Sequence, residues 1–171
     1  LSDKKFIRLS KMDVRSGFFH IPLDEASRDL TAFGTQFGVY RYLRLPMGIL
    51  IASKAFQGQF ADLCRDLENV EIIQDDVLLY GYGETPEEAD RNHDDCLGKF
   101  LNRCQEKDIK LNLEKCKFKT EEVKYMGHCL TTKGIKPDKE RVRAIVDYPA
   151  PTDATGIRRF LGMVNYLHPF D

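Results

Sequence analysis

Residues 6–12 alternate in character, with Phe6, Arg8, Ser10 and Met12 set against Ile7, Leu9 and Lys11. That period suits a strand, and the strand delivers Asp13 at its end. Ser16-Gly17 breaks the run, Phe18-Phe19-His20-Ile21 follows, and Pro22 closes it. Residues 24–28 suit a single helical turn. Leu30–Phe33 and Val39–Leu45 read as strands around Gln36-Phe37-Gly38, and Pro46-Met47-Gly48 is a sharp loop. Further on, the apolar run Val70 to Ile73 is interrupted by Gln74-Asp75-Asp76 and resumes at Val77. Apolar strands flanking Asp at a tight turn predict a hairpin with those three residues at its tip, although neither Gly nor Asn is present there.

Two helices stand out. Phe56, Phe60, Leu63 and Leu67 recur at helical spacing, which predicts a helix from an N-cap at Ser53 to about Leu67. Thr85-Pro86-Glu87-Glu88 places Thr at N-cap, Pro at N1 and Glu at N3, a capping box. The helix it opens runs to about Glu106, with Leu97, Phe100, Leu101 and Cys104 on one face and acidic first turns that suit the helix dipole. Ile109–Leu113, Lys115–Lys119 and Glu122–Leu130 read as short strands. Around Lys133-Gly134 the character changes to two helices. One starts near Asp138 with Val142, Ile145 and Val146 inward; the other starts near Thr152 with Ile157, Phe160, Leu161 and Val164 inward.

Composition narrows the class. A chain of 171 residues with 42% hydrophobic and 31% charged residues suits one globular domain, with or without an appended piece, and does not resemble a disordered chain. No apolar run approaches the roughly 18 residues of a membrane span, so no membrane partner is expected. Cys64, Cys96, Cys104, Cys116 and Cys129 are odd in number and contain no C-x-x-C, which suits reduced thiols in an intracellular protein. A net charge of -1 argues against an indiscriminate basic binder of nucleic acid.

The chemistry gathers at the carboxylates. An exposed Asp-Asp turn is the plain reading of Asp75-Asp76, and Asp13 by itself could bond its own turn. Two neighbouring Asp pressed against apolar strands repel each other, however, and a divalent cation relieves that cost. If the strand ending at Asp13 lies beside the hairpin, three carboxylates converge where two hard cations about 3.5–4 Å apart could support in-line phosphoryl transfer. Oxygen donors without His or Cys point to Mg2+ rather than zinc.

Several motifs in order carry a close resemblance to the reverse transcriptases of Ty3/gypsy-type LTR retrotransposons, and a more distant one to those of retroviruses. Leu9 to Phe18 resembles the first catalytic motif, trailed by Pro22-Leu23-Asp24 and Thr31-Ala32-Phe33. Leu45-Pro46-Met47-Gly48 with Ala52, Phe56 and Gln57 resembles the loop–helix beneath template and nucleotide. Gln74-Asp75-Asp76 matches the x-Asp-Asp hairpin, Tyr125-Met126-Gly127-His128 the grip on the primer end, and Phe160 to Tyr166 the thumb helix.

The resemblance implies an α+β polymerase palm, an antiparallel sheet backed by helices. Residues 1–133 would form it, with a fingers portion inserted at about 24–52, and 134–171 would start a helical thumb. It implies RNA- and DNA-directed DNA synthesis from dNTP on a primed RNA or DNA template, in a cytoplasmic retroelement particle. Asp13 and Asp75 would bridge two Mg2+ ions (Mn2+ as a substitute), with Asp76 assisting and the Val14 carbonyl as a further ligand. Phe18 would exclude a 2'-hydroxyl; Met47, Gly48 and Gln57 would line the nucleotide pocket; Tyr125, Met126, Gly127 and His128 would grip the primer. Ile73, Gln74, Met47 and Ser53 depart from the residues common in relatives. The chain is expected to be a fragment, beginning after the basic upstream fingers and lacking most of the thumb, the connection and the ribonuclease H domain. The alternative is a domesticated retroelement fragment acting as a non-catalytic nucleic-acid-binding or structural module.

Other residues have plainer expectations. Phe19 is expected in the core, and His93-Asp94-Asp95-Cys96 as a solvated helix face. His20 and His128 suit local bonds. Lys136, Lys139, Arg141, Arg143, Arg158 and Arg159 could track phosphates or simply be solvated, since Asp138, Glu140, Asp147, Asp153 and Asp171 nearly balance them. Cys64, Cys104 and Cys129 suit small core positions.

Overall fold

The computed structural model describes residues 6–132, 134–165 and 167; Lys133, Tyr166 and Asp171, named above, lie outside them. The chain divides into two compact units, residues 3–120 and 121–171, so the change of character near Gly134 falls inside the second.

The first unit is built on β1 (Phe6–Asp13), β4 (Val70–Ile73), β5 (Asp76–Gly83) and β6 (Lys117–Thr120), once β2 (Phe33–Thr35) and β3 (Gly38–Tyr40) are set apart as a separate two-stranded hairpin. The four strands form an antiparallel sheet in the order β4-β5-β1-β6. Alternation along β1 and β5 aims Met12, Val77 and Leu79 into one core, where they meet Phe56, Phe60 and Phe100.

Two helices cover that core. Helix α2 (Ala52–Leu63), which follows the short α1 (Glu25–Asp29), buries Ala52, Phe56 and Phe60. It starts earlier than the expected Ser53 cap: Ile51 holds the N-cap position and no side chain caps it. It also ends at Leu63, and the chain continues to Leu67 as a turn in which the Leu67 N–H donates to the Cys64 carbonyl. Helix α3 (Pro86–Glu106) begins as the capping box requires, with the Glu88 N–H donating to Thr85 Oγ1. Its buried face is Ala89, His93, Cys96, Phe100 and Cys104, while Leu101 is 39% exposed.

His93 and Cys96 are therefore buried, and only Asp94 and Asp95 are solvated. The cause is a close approach of helix and sheet. A Cβ on Gly81 of β5 would lie 2.2 Å from the His93 backbone nitrogen, so glycine lets α3 sit directly on the strand. His93 Nε2 and Ser10 Oγ, both inaccessible to solvent, share a 2.7 Å hydrogen bond, and Ser10 Oγ also accepts the Lys119 N–H from β6. This polar link through the core satisfies what burial would otherwise penalise.

The strands expected at residues 30–45 are shorter, Phe33–Thr35 and Gly38–Tyr40. Residues 109–113 contribute only the bridge of Leu111 to Val14. Phe19 is 45% exposed rather than in the core, because the 3-10 turn Gly17–His20 aims it outward. No helix among the described residues is long and apolar enough to cross a membrane.

In the second unit the run 122–130 is two strands, β7 (Glu122–Tyr125) and β8 (His128–Thr131), joined by a turn at Met126-Gly127. An unexpected β9 (Gly134–Pro137) pairs with β8. Asp138 caps α4 (Lys139–Val146) and Asp153 Oδ1 accepts the Gly156 N–H in α5 (Ala154–Asn165). Val142, Ile145 and Phe160 are half-buried. Val146, Ile157, Leu161 and Val164 are exposed, against their expected inward placement, since a pair of short helices can bury only one shared stripe.

Candidate nucleotidyl-transfer site

Pairing of β1 with β5 sets Asp13 opposite Asp76 in register. Ile73 pairs with Asp76, so the hairpin loop is only Gln74-Asp75, and Asp76 already belongs to the strand. Two-residue hairpin loops of the favoured kind need positive φ at their first central residue, a place where glycine is usual. Gln74 adopts φ 54° there. What holds it is Gln57 on α2: its Oε1 accepts the Gln74 N–H at 2.6 Å, and its Nε2 donates to the Ile72 carbonyl at 2.8 Å.

The loop is fastened to the end of β1 as well. The Val14 N–H donates to the Asp75 carbonyl at 2.9 Å, and the Asn112 N–H donates to the Asp13 carbonyl at 2.8 Å. Gly17 closes the third side. A Cβ there would stand 2.3 Å from Asp75 Oδ1 and 2.6 Å from Phe56 Cζ, so only glycine fits between carboxylate and ring. Phe18 leans on the same ring, with centroids 5.2 Å apart.

The three carboxylates have different surroundings. Lys11 Nζ lies 2.9 Å from Asp76 and neutralises it. Lys115 Nζ lies 3.7 Å from Asp13 Oδ2. Asp75 Oδ1 is buried without a hydrogen-bond partner. Burial holds the Asp75 carboxyl above the ordinary range, helped by Asp13 and Asp76 and opposed by Lys115. A buried anionic oxygen with no donor is costly, and a hard cation is one group that satisfies it. The donor set of carboxylate oxygens therefore fits such a cation. Among the described residues, no group of three or more His, Cys, Asp or Glu side chains is closed around a metal position. Asp76 is instead paired with Lys11.

The other expected residues are spread more widely. Gln57 is engaged by the hairpin backbone through both its amide atoms. Met47 is 63% exposed, and Gly48, at φ 89°, faces open space. Tyr125, Met126, Gly127 and His128 form the β7–β8 turn of the second unit, with Met126 at φ 50° and Gly127 at φ 80°. Lys11, Lys115 and the wedge role of Gly17 were not legible in the sequence: the lysines read as ordinary strand and loop polar positions, and Gly17 as a strand break. Burial pushes the Cys64 and Cys96 thiols up to about 11 and Cys104 to about 12, so they are inert core residues.

Residues 2–130 match the family model described as Reverse transcriptase (RNA-dependent DNA polymerase). The chain is 39% identical over 163 residues to the retrovirus-related Pol polyprotein from transposon 412 of Drosophila melanogaster, covering 94% of this chain and 13% of that protein. It is 32% identical over 161 residues to the Pol polyprotein from transposon gypsy of the same organism, covering 93% of this chain and 15% of that one. Among solved structures, a foamy viral protease-reverse transcriptase in complex with double-stranded DNA superposes with a TM-score of 0.82 at 24% identity, over 94% of this chain and 27% of that one. The same viral protein in complex with an RNA/DNA hybrid gives 0.77. The chain thus spans a small part of the length of each relative.

Proposed function

Because this chain belongs to the reverse transcriptase (RNA-dependent DNA polymerase) family, we propose that it is the palm portion of a retrotransposon polymerase that adds dNTP units to a primer on an RNA or DNA template. The observation that carries the reading is Asp75 Oδ1, buried and unpartnered beside Asp13 and Asp76 at the end of two paired strands. Asp13, Asp75 and Asp76 would hold two Mg2+ ions together with the Val14 carbonyl. Metal held by these residues would supply Lewis-acid stabilisation of the attacking hydroxyl and of the leaving pyrophosphate.

The chain's own residues do the positioning. Gln57 fixes the hairpin so that Asp75 keeps its place, and Gly17 leaves room for the Asp75 carboxylate beside the Phe56 ring. Phe18, packed on the Phe56 ring, would reject a sugar bearing a 2'-hydroxyl by overlap. Met47 and Gly48, exposed on their loop, would meet the template–nucleotide pair, and the turn 125–128 would hold the primer.

The test is primer extension by the full chain on RNA and DNA templates with Mg2+ or Mn2+, in parallel dNTP and NTP lanes, with Asp75→Asn alongside. Extension with dNTP alone, lost by a factor on the order of 10³ or more in the variant, is expected. Extension that persists in Asp75→Asn would overturn the assignment of the carboxylates.

A further inference from the structure

The three carboxylates at the sheet end differ most in how closely a lysine holds them. Lys11 Nζ lies 2.9 Å from each of the two Asp76 oxygens. Lys115 stands off from Asp13 Oδ2 at 3.7 Å, and Asp75 Oδ1 has no hydrogen-bond partner. The Lys11 and Asp76 side chains are 22% and 27% exposed. A pair so placed is screened by salt much less than one on the open surface.

Strand register explains the reach. Lys11 stands opposite Leu78 of β5 on one side and opposite Lys117 of β6 on the other, while Asp76 stands opposite Asp13. Residues two apart on a strand share a face, so Lys11 and Asp13 belong to the same side of the sheet. Asp76 is therefore the diagonal neighbour of Lys11, a separation that a long side chain spans. Like charges directly opposite each other repel, so Lys117 favours the lean of Lys11 towards the carboxylates.

The pairing has a chemical consequence. Both oxygens that the Lys11 ammonium touches are donors that Mg2+ would need at about 2.1 Å. Two cations crowded onto one carboxylate repel, so ammonium and metal exclude each other there. Arg8, three residues before Lys11, gives a contrast: it pairs with Asp90 of α3 rather than with the carboxylates of the site. We propose that Lys11 is a built-in competitor for the metal site, holding Asp76 until a divalent ion displaces it and so setting how tightly such ions bind. The proposal rests on reading the carboxylates as a metal site. Lys11 acts through Asp76, as a positioning residue.

The test is titration of the full chain with Mn2+, followed by loss of the free-ion electron paramagnetic resonance signal, without nucleotide or primer. Lys11→Met should bind Mn2+ about tenfold more tightly than the unaltered chain, and Lys11→Arg, which keeps the charge, should not. Made in an Asp76→Asn background, Lys11→Met should give no gain. Arg8→Met should give none either. A merely structural ion pair predicts the opposite sign, since its loss would loosen the site and weaken binding. Unchanged or weaker affinity in Lys11→Met, a gain that survives Asp76→Asn, or an equal gain in Arg8→Met would each overturn the proposal.

The unaltered chain supplies a second readout that does not depend on a charge-removing variant. In nitrogen-15 spectra the Lys11 ammonium, assigned by its disappearance in Lys11→Arg, should lose protection from proton exchange as Mg2+ is added. An ammonium that stays protected at saturating Mg2+ would overturn the proposal. Asp75→Asn separates the two levels of the argument. Mn2+ binding that Asp75→Asn leaves intact would sink the metal-site reading and the proposal with it. Binding lost in Asp75→Asn but indifferent to Lys11→Met would sink the proposal alone.

Discussion

At the end of the four-stranded sheet almost every group has a partner, whereas residues 32–44 are exposed throughout. Met12, Val14 and Val77 are at most 2% exposed, and the carboxylates above them are located by backbone bonds from Val14, Asn112 and Gln74. The β2–β3 hairpin has no such foundation. Phe37 and Val39 are each 79% exposed, and among the described residues Phe33 stacks on Tyr40 and meets Tyr42 at a tilt. What ties this region down is polar and local. Arg41 pairs with Glu25 and Asp29, and the Tyr42 N–H donates to Thr31 Oγ1. Burial gives the sheet end one arrangement, while surface bonds in high dielectric only bias the hairpin. The carboxylates sit on the well-packed region, which the proposed nucleotidyl transfer would require of them.

This contrast can be broken at several points. Gly17→Ala should have the largest effect, since the new Cβ meets a carboxylate and a buried ring. We expect a loss of about 1–3 kcal/mol in urea denaturation, with primer extension falling more than stability alone would explain. A fully active, equally stable variant would mean that the sheet end is softer than its packing implies.

Asp75→Asn should raise stability at neutral pH, lifting Tm by about 2–4 °C, while abolishing synthesis. The sign follows from the raised carboxyl. The folded state holds the Asp75 proton more tightly than the unfolded state does, so this residue's contribution to stability falls as pH rises from its ordinary 3.8 through the raised folded value. The advantage of the variant should therefore shrink on acidification towards pH 4, as read by melting curves across that range.

Gln57→Ala removes both bonds to the hairpin and leaves Gln74 in the left-handed region unsupported. A cost of about 0.5–1.5 kcal/mol is expected, together with faster amide exchange at residues 72–76 and weaker extension. Smallest of all is Arg41→Ala, which removes two exposed ion pairs and should shift stability by less than about 1 kcal/mol. A larger loss would show that residues 32–44 are held as firmly as the sheet end.

Local pattern made a good part of this protein readable. The strand 6–12, the capping box at Thr85 and the helix start near Asp138 depend on neighbours in the chain and stand where the pattern put them, and the hairpin does too except that Asp76 belongs to its strand rather than to its tip. Elements whose edges depend on distant partners shifted. Helix α2 starts at Ala52 and stops at Leu63, and β9 emerges only because β8 offers it an open edge.

The sequence by itself determined which residue types could meet a hard cation, and it arranged Asp13 and Asp75-Asp76 at strand ends, because both period and turn chemistry are local. Tertiary structure alone decided that Gly17 must be glycine, that Gln57 is the clamp of the hairpin, that His93 turns inward to Ser10, and that Lys11 pairs with Asp76. Those outcomes join residues tens of positions apart. They are consequences of close packing between segments, which no periodicity along a single segment encodes.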